Sequence, residues 1–122
     1  MTARVVVLAQ DLIWADRLAR AVEAAGGEPV GVASLERFEE ALAGGGAAIV
    51  DLTALAYDGV AAIAAAHAAG SRVLAVGQHD DHALRKRALA AGADRVFAYR
   101  KLFEDGPGTI SAWLGRPARV GS

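Results

Sequence analysis

Cysteine is absent from all 122 residues. That removes disulfides, thiolate metal sites and a cysteine nucleophile together. A chain with no disulfide to protect is expected in the cytoplasm. No apolar run approaches the roughly 18 to 20 residues of a membrane span, and no basic-then-apolar leader opens the chain, so no membrane partner is expected. Net charge is only −1, which speaks against a general nucleic-acid partner. Glycine-rich phosphate loops are missing as well. The turn after the first apolar run reads Ala9-Gln10-Asp11-Leu12-Ile13, with no glycine to admit a pyrophosphate to a helix N-terminus. Neither a Ser–His–Asp order nor a cysteine–histidine pair can be assembled, and no enzyme activity is expected.

Hydrophobic residues make up 54% of the chain, enough for one core of ordinary domain size. Much of that share is alanine, which lets helices pack closely. Charge is divided unevenly. Residues 1–61 carry four Lys+Arg against nine Asp+Glu, and residues 62–122 carry nine against five. An acidic half and a basic half imply two differently charged faces.

Five strand–helix units follow one another. Arg4–Ala9 is an apolar run without alternation, as in a strand buried on both faces. Leu12–Ala25 has helical periodicity, with Asp11 placed as its N-cap and Gly26-Gly27 ending it. Pro29–Ala33 reads as an edge strand because of its proline and glycine. Ser34 caps a helix over 35–43. Ala48–Leu52 is a buried central strand containing Asp51. Asp58 caps an alanine helix over 59–69, with His67 near the helix end it would stabilise. Arg72–Val76 is the fourth strand. Asp80 or Asp81 caps a helix that runs to Ala91. Arg95–Tyr99 is the fifth strand, and Gly106-Pro107 opens a last helix to Leu114. Residues 1–115 form one domain, and 116–122 read as a flexible tail. Strict alternation with long connections predicts a three-layer α/β sandwich with a parallel five-stranded sheet. The flavodoxin-like strand order 2-1-3-4-5 is expected.

That order brings Gln10, Asp11 and Asp51 to one sheet edge, outside the carboxyl ends of the strands. Two close carboxylates suit a hard cation, and Mg²⁺ needs few protein ligands. The plainer reading leaves Asp11 as a helix cap and Asp51 as a strand end. His79-Asp80-Asp81-His82 contains metal-ligand residue types but offers no evident third or fourth ligand. Trp113, with Ile110 and Leu114, is expected in the core. Trp14 is either core packing or an interface anchor.

Ile49-Val50-Asp51-Leu52 at the third strand and Ala91-Gly92-Ala93-Asp94 before the fifth carry a resemblance. Over residues 4 to about 114 the chain resembles the receiver domain of bacterial two-component response regulators. The resemblance implies that Asp51 matches the aspartate that accepts a phosphoryl group from a histidine kinase. In receivers two acids after strand one help hold Mg²⁺, a hydroxyl residue follows strand four, and a lysine follows strand five. Here Asp11 is kept, but Gln10, Gly77 and Tyr99 stand at the other three positions. A neutral amide weakens cation binding, glycine has no hydroxyl, and a phenol supplies no fixed positive charge to phosphoryl oxygens. Arg100 or Lys101 is the nearest substitute for the lysine.

The chain therefore looks like a stand-alone degenerate receiver, or pseudo-receiver, that signals by binding another protein. The candidate interface is the basic set Arg85, Lys86, Arg95, Arg100 and Lys101, with Arg87 beside them. Its partner is an acidic protein or the acidic half of a second copy, giving a homodimer. The alternative is a working phosphoacceptor that uses Asp51 with Mg²⁺. A small-molecule-binding α/β domain is a third reading.

Overall fold

The computed structural model describes residues 3–78 and 80–115. The expected tail at 116–122 and His79 lie outside the described residues. Ten elements alternate: β1 (Ala3–Leu8), α1 (Leu12–Ala24), β2 (Gly27–Val32), α2 (Leu35–Ala41), β3 (Ala47–Asp51), α3 (Gly59–Ala68), β4 (Arg72–Gly77), α4 (His82–Ala91), β5 (Arg95–Ala98) and α5 (Tyr99–Leu114). The strands form one sheet in the order β2-β1-β3-β4-β5, every pair parallel. This is the flavodoxin-like order expected from the alternation.

Apolar runs without alternation make sense in such a sheet. Val5, Val7, Ile49, Leu74 and Val76 pack against one layer with Leu18, Val22, Ile110 and Trp113. Val6, Leu8, Val50, Val73 and Ala75 pack against the other with Phe38, Leu42, Ile63 and Ala88. Each fully buried Val, Leu, Ile or Phe contributes roughly 1.5 to 3 kcal/mol, so both faces of the central strands must be apolar. β2 is an edge strand, as its proline requires.

Local chemistry sets the helix starts. Asp11 accepts from the amides of Ile13 and Trp14. Ser34 caps α2, Asp58 caps α3, and Asp81 rather than Asp80 caps α4. α4 ends at Gly92 with φ 119°. A β-carbon there would lie 2.5 Å from the His67 ring, so glycine is required twice over, by conformation and by space. His67 does sit in the last turn of α3, and its ring fills the gap over Gly92. Asp94 ties the start of β5 to β4 by accepting from the Val73 amide at 2.6 Å.

The last helix differs from expectation. β5 stops at Ala98, and Tyr99 opens α5. The helix is two segments joined at Asp105, whose backbone is non-helical at φ −154° and ψ 66°. Asp105 then caps the second segment through the Gly108 amide, with Pro107 in its first turn. So Gly106-Pro107 does open a helical segment, but an earlier segment precedes it. Gly106 is buried with the Ala21 methyl 3.2 Å from where a β-carbon would stand, which brings α5 close onto α1. Arg72 anchors the far end of α5 through the carbonyls of Trp113 and Leu114.

Candidate functional site

Parallel register carries the carboxyl ends of the strands to one edge. Leu8 pairs with Val50, Asp51 with Val76, and Gly77 with Ala98. The chain leaving each strand therefore delivers Gln10, Asp11, Asp51, Gly77 and Tyr99 to the same side of the sheet.

Asp51 is 1% exposed. A buried carboxylate needs donors around it. Its Oδ1 accepts from the Thr53 amide at 3.0 Å and from the Thr53 hydroxyl at 2.9 Å. The Tyr99 hydroxyl donates to the same oxygen, and the Thr53 and Tyr99 hydroxyls also touch each other. Among the described residues, only neutral groups are hydrogen-bonded to the Asp51 carboxylate. Burial first, and then the hydrogen bond to Asp51, push the Tyr99 hydroxyl well above the usual tyrosine range. It stays a protonated donor at any physiological pH.

Tyr57 supports the site from beneath. Its hydroxyl lies 2.7 Å from the Asp51 carbonyl oxygen and 3.1 Å from that of Leu8. Its single proton is shared between the ends of β1 and β3. Burial, followed by the charge of Asp51, raises this hydroxyl too. Neither Thr53 nor Tyr57 was singled out by sequence reasoning. The signal was there in Asp51-Leu-Thr-Ala-Leu-Ala-Tyr57, where two hydroxyl residues closely follow a buried acid.

Gln10 and Asp11 are turned to other work. The Gln10 side-chain oxygen accepts from the amides of Leu55 and Ala56 at 2.9 and 3.2 Å, which braces the β3–α3 loop. Asp11 Oδ1 is the cap of α1. The Gln10 oxygen and one oxygen each of Asp11 and Asp51 are therefore engaged within the chain. Among the described residues no group of three Asp, Glu, His or Cys side chains could hold a metal ion. His82 is an exposed residue in the first turn of α4.

Gly77 is buried under Leu52, whose side chain lies 3.4 Å from where a β-carbon would stand. The basic residues are dispersed. Arg85 donates to the Val96 carbonyl at 2.7 Å, Arg95 to the Asp94 carbonyl at 3.0 Å, and Arg100 pairs with Glu104 at 3.3 Å. Lys86 and Lys101 are exposed. Lys101 borders a shallow cleft with Arg95, Phe97 and Trp113. The position beside Asp51 is taken by Tyr99, not by Arg100 or Lys101.

Trp14 is half-buried and meets the Tyr99 ring at 4.3 Å between centroids. Arg17 lies over both Trp14, at 5.5 Å, and Phe103, at 4.6 Å. Trp14 is therefore neither deep core nor a free anchor. It joins Tyr99 to an apolar surface in which Leu12, Ile13 and Phe103 are exposed. Trp113 is core, at 3% exposed.

No helix of the described residues is long and apolar enough to cross a membrane. No family model and no curated protein matches the sequence. Solved structures do. The BeF3-activated receiver domain of DrrB superposes with a TM-score of 0.82 at 15% identity, covering 95% of this chain and 100% of that one. A response regulator receiver protein from Burkholderia phymatum gives 0.74 at 24% identity, covering 98% and 100%. The signal receiver domain of the response regulator NarL from Mycobacterium tuberculosis gives 0.74 at 22%, covering 94% and 98%. Strand order, the acid at the end of β3 and these superpositions agree: the chain has the fold of response-regulator receiver domains.

Proposed function

We propose that the chain is a receiver-like signalling protein that works by binding another protein, and that Asp51 does not serve it as a normal phosphoacceptor. One observation carries this reading. The position beside the Asp51 carboxylate is filled by the Tyr99 hydroxyl, a neutral donor bonded to Oδ1. A phosphoryl group arriving at Oδ1 of Asp51 would have to displace that donor. It would find no cation fixed among the groups bonded to Oδ1 to stabilise its charge. The rim of the same edge supports a binding role, since Leu12 is 84% exposed, Ile13 70% and Leu55 96%. Large apolar side chains held out together on a surface mark contact with partners.

The test is incubation with a small phosphodonor and Mg²⁺, followed by intact mass. An unmodified chain is expected. An adduct that vanishes in Asp51→Asn would show Asp51 to be a working acceptor and overturn this reading.

A further inference from the structure

A helix that is apolar all round is normally buried. α3 has no Asp, Glu, Lys or Arg within Gly59–Ala68, yet one of its faces is open. Gly59, Ala62, Ile63 and Ala66 are its buried side. Ala61, Ala64 and Ala68 are exposed and Ala65 is half-covered, and their spacing of three and four residues makes one ridge. Beside the ridge lies a groove of about 300 Å³ between α2 and α3, floored by Phe38 and Leu42 and edged by Glu39.

The flanks of the ridge differ in charge. Helical geometry at 3.6 residues per turn decides which way their side chains face. On α2, Phe38 is buried and Glu39 edges the α3 groove. Glu36 and Glu40 then fall on the outer surface, and Arg37 on the side away from α3. On α4, Ala88 is buried and Arg85 reaches toward β5 through the Val96 carbonyl. Lys86 then faces outward and Arg87 leans toward α3. The face therefore reads acidic, apolar, basic from α2 to α4.

We propose that this face is a self-complementary interface on which a second copy of the chain docks. A two-fold axis along α3 lays one alanine ridge against the other. The same operation places α2 of each copy over α4 of its partner, as an isologous contact requires. Glu39 flanks the Ala65–Ala69 end of α3, and Gly92 at the end of α4 lies against His67. Lys86 and Arg87, six and five residues before Gly92, therefore stand about one turn lower, level with Glu36. Alanine is suited to such a ridge because it lets two helix backbones approach closely. Ten residues of α3 span about 15 Å. Three helices spaced 8 to 10 Å apart are about 25 to 30 Å wide. That is on the order of 400 Å² a side, below the roughly 1,000 Å² in total that a stable interface buries, so a weak, transient dimer is expected. This interface does not depend on whether Asp51 is phosphorylated.

Sedimentation equilibrium of the full chain at low salt is expected to show the mass rising with concentration from 12.5 kDa toward twice that value. Added salt should weaken the association, because the flanking charges are exposed. Ala64→Arg puts a charge in the middle of the ridge at an exposed position where arginine is a good helix former. It should hold the chain at monomer mass with an unchanged circular dichroism spectrum, and Ala61→Lys should do the same. Glu36→Lys and Lys86→Glu should each weaken association about tenfold, and the two together in one chain should recover most of the loss. A wild-type chain that stays monomeric at millimolar concentration in low salt overturns the proposal. So does a dimer that survives both ridge variants, or a double reversal that binds no better than the singles.

Discussion

By the resemblance read from the sequence Tyr99 stands where receivers have lysine, and in the proposed function that one side chain changes what Asp51 can do. A lysine would hold the carboxylate by charge and remain free to follow a phosphoryl group. The tyrosine holds it through a hydroxyl that is locked on one oxygen and packed from behind by Trp14. Tyr99→Phe keeps the ring stack and removes only the hydroxyl. Losing a bond to a charged acceptor should cost about 1 to 2 kcal/mol, at the lower end because Tyr99 is only half-buried. Urea denaturation measures this. The cost should shrink in an Asp51→Asn background, where the acceptor is neutral. The pH dependence has a fixed sign. Folding raises the Tyr99 pKa above the usual value of 10.0, so the folded state keeps its proton when the unfolded chain has begun to lose its own. That contribution is whole below about pH 10 and is lost as pH rises further. Tyr99→Phe should therefore flatten the alkaline side of the stability curve, with Tyr57 supplying what remains. The substitution at Tyr99 was legible in the sequence from its distance to Gly92-Ala93-Asp94. Its bond to Asp51 was not, because that depends on where α5 begins. One residue's change in strand end converts a strand residue into the first residue of a helix and turns the ring inward.

The elements were legible to the degree that their stop signals are local. Gly92 and Asp81 mark the ends of α4 by backbone conformation and by a side-chain cap, and periodicity filled in between. α5 was the exception, since Asp105, Gly106 and Gly108 look like a loop until Asp105 is seen capping the next turn. At α1 the cap is also the candidate metal ligand, and the two roles predict different behaviour. As a cap, Asp11 satisfies the amides of Ile13 and Trp14. Asp11→Ala should then cost about 1 kcal/mol, by the same amount with Mg²⁺ present or absent. As a cation ligand, it should instead lend wild type a Mg²⁺-dependent gain in melting temperature that the variant lacks. Thermal melts of both chains with and without Mg²⁺ separate these outcomes. The geometry of the cap favours the first.

Across the whole molecule, the receiver fold brings the strand ends together, and the function proposed above has the groups there diverged from phosphoryl chemistry. The distinction can be tested by putting those groups back. Gln10→Asp would restore a second acid after β1, Gly77→Thr a hydroxyl after β4, and Tyr99→Lys a cation after β5. Space allows the least obvious of these. A β-carbon at Gly77 meets Leu52 only at 3.4 and 3.6 Å, an ordinary contact, and the backbone there needs no positive φ. Gln10→Asp gives up the brace on Leu55 and Ala56, and Tyr99→Lys gives up the bond on Oδ1, so the variant should be less stable by about 2 to 3 kcal/mol. If the sheet edge is otherwise intact, the triple variant should take a phosphoryl group from a small donor with Mg²⁺ where wild type does not, and lose it again on adding Asp51→Asn. Each replacement alone should do less than the three together, because acceptor, cation and lysine act on one transferring group and their effects do not add. A folded triple variant that stays unmodified would mean that the rest of the edge, including Thr53 and Tyr57, has also moved away from phosphoryl chemistry.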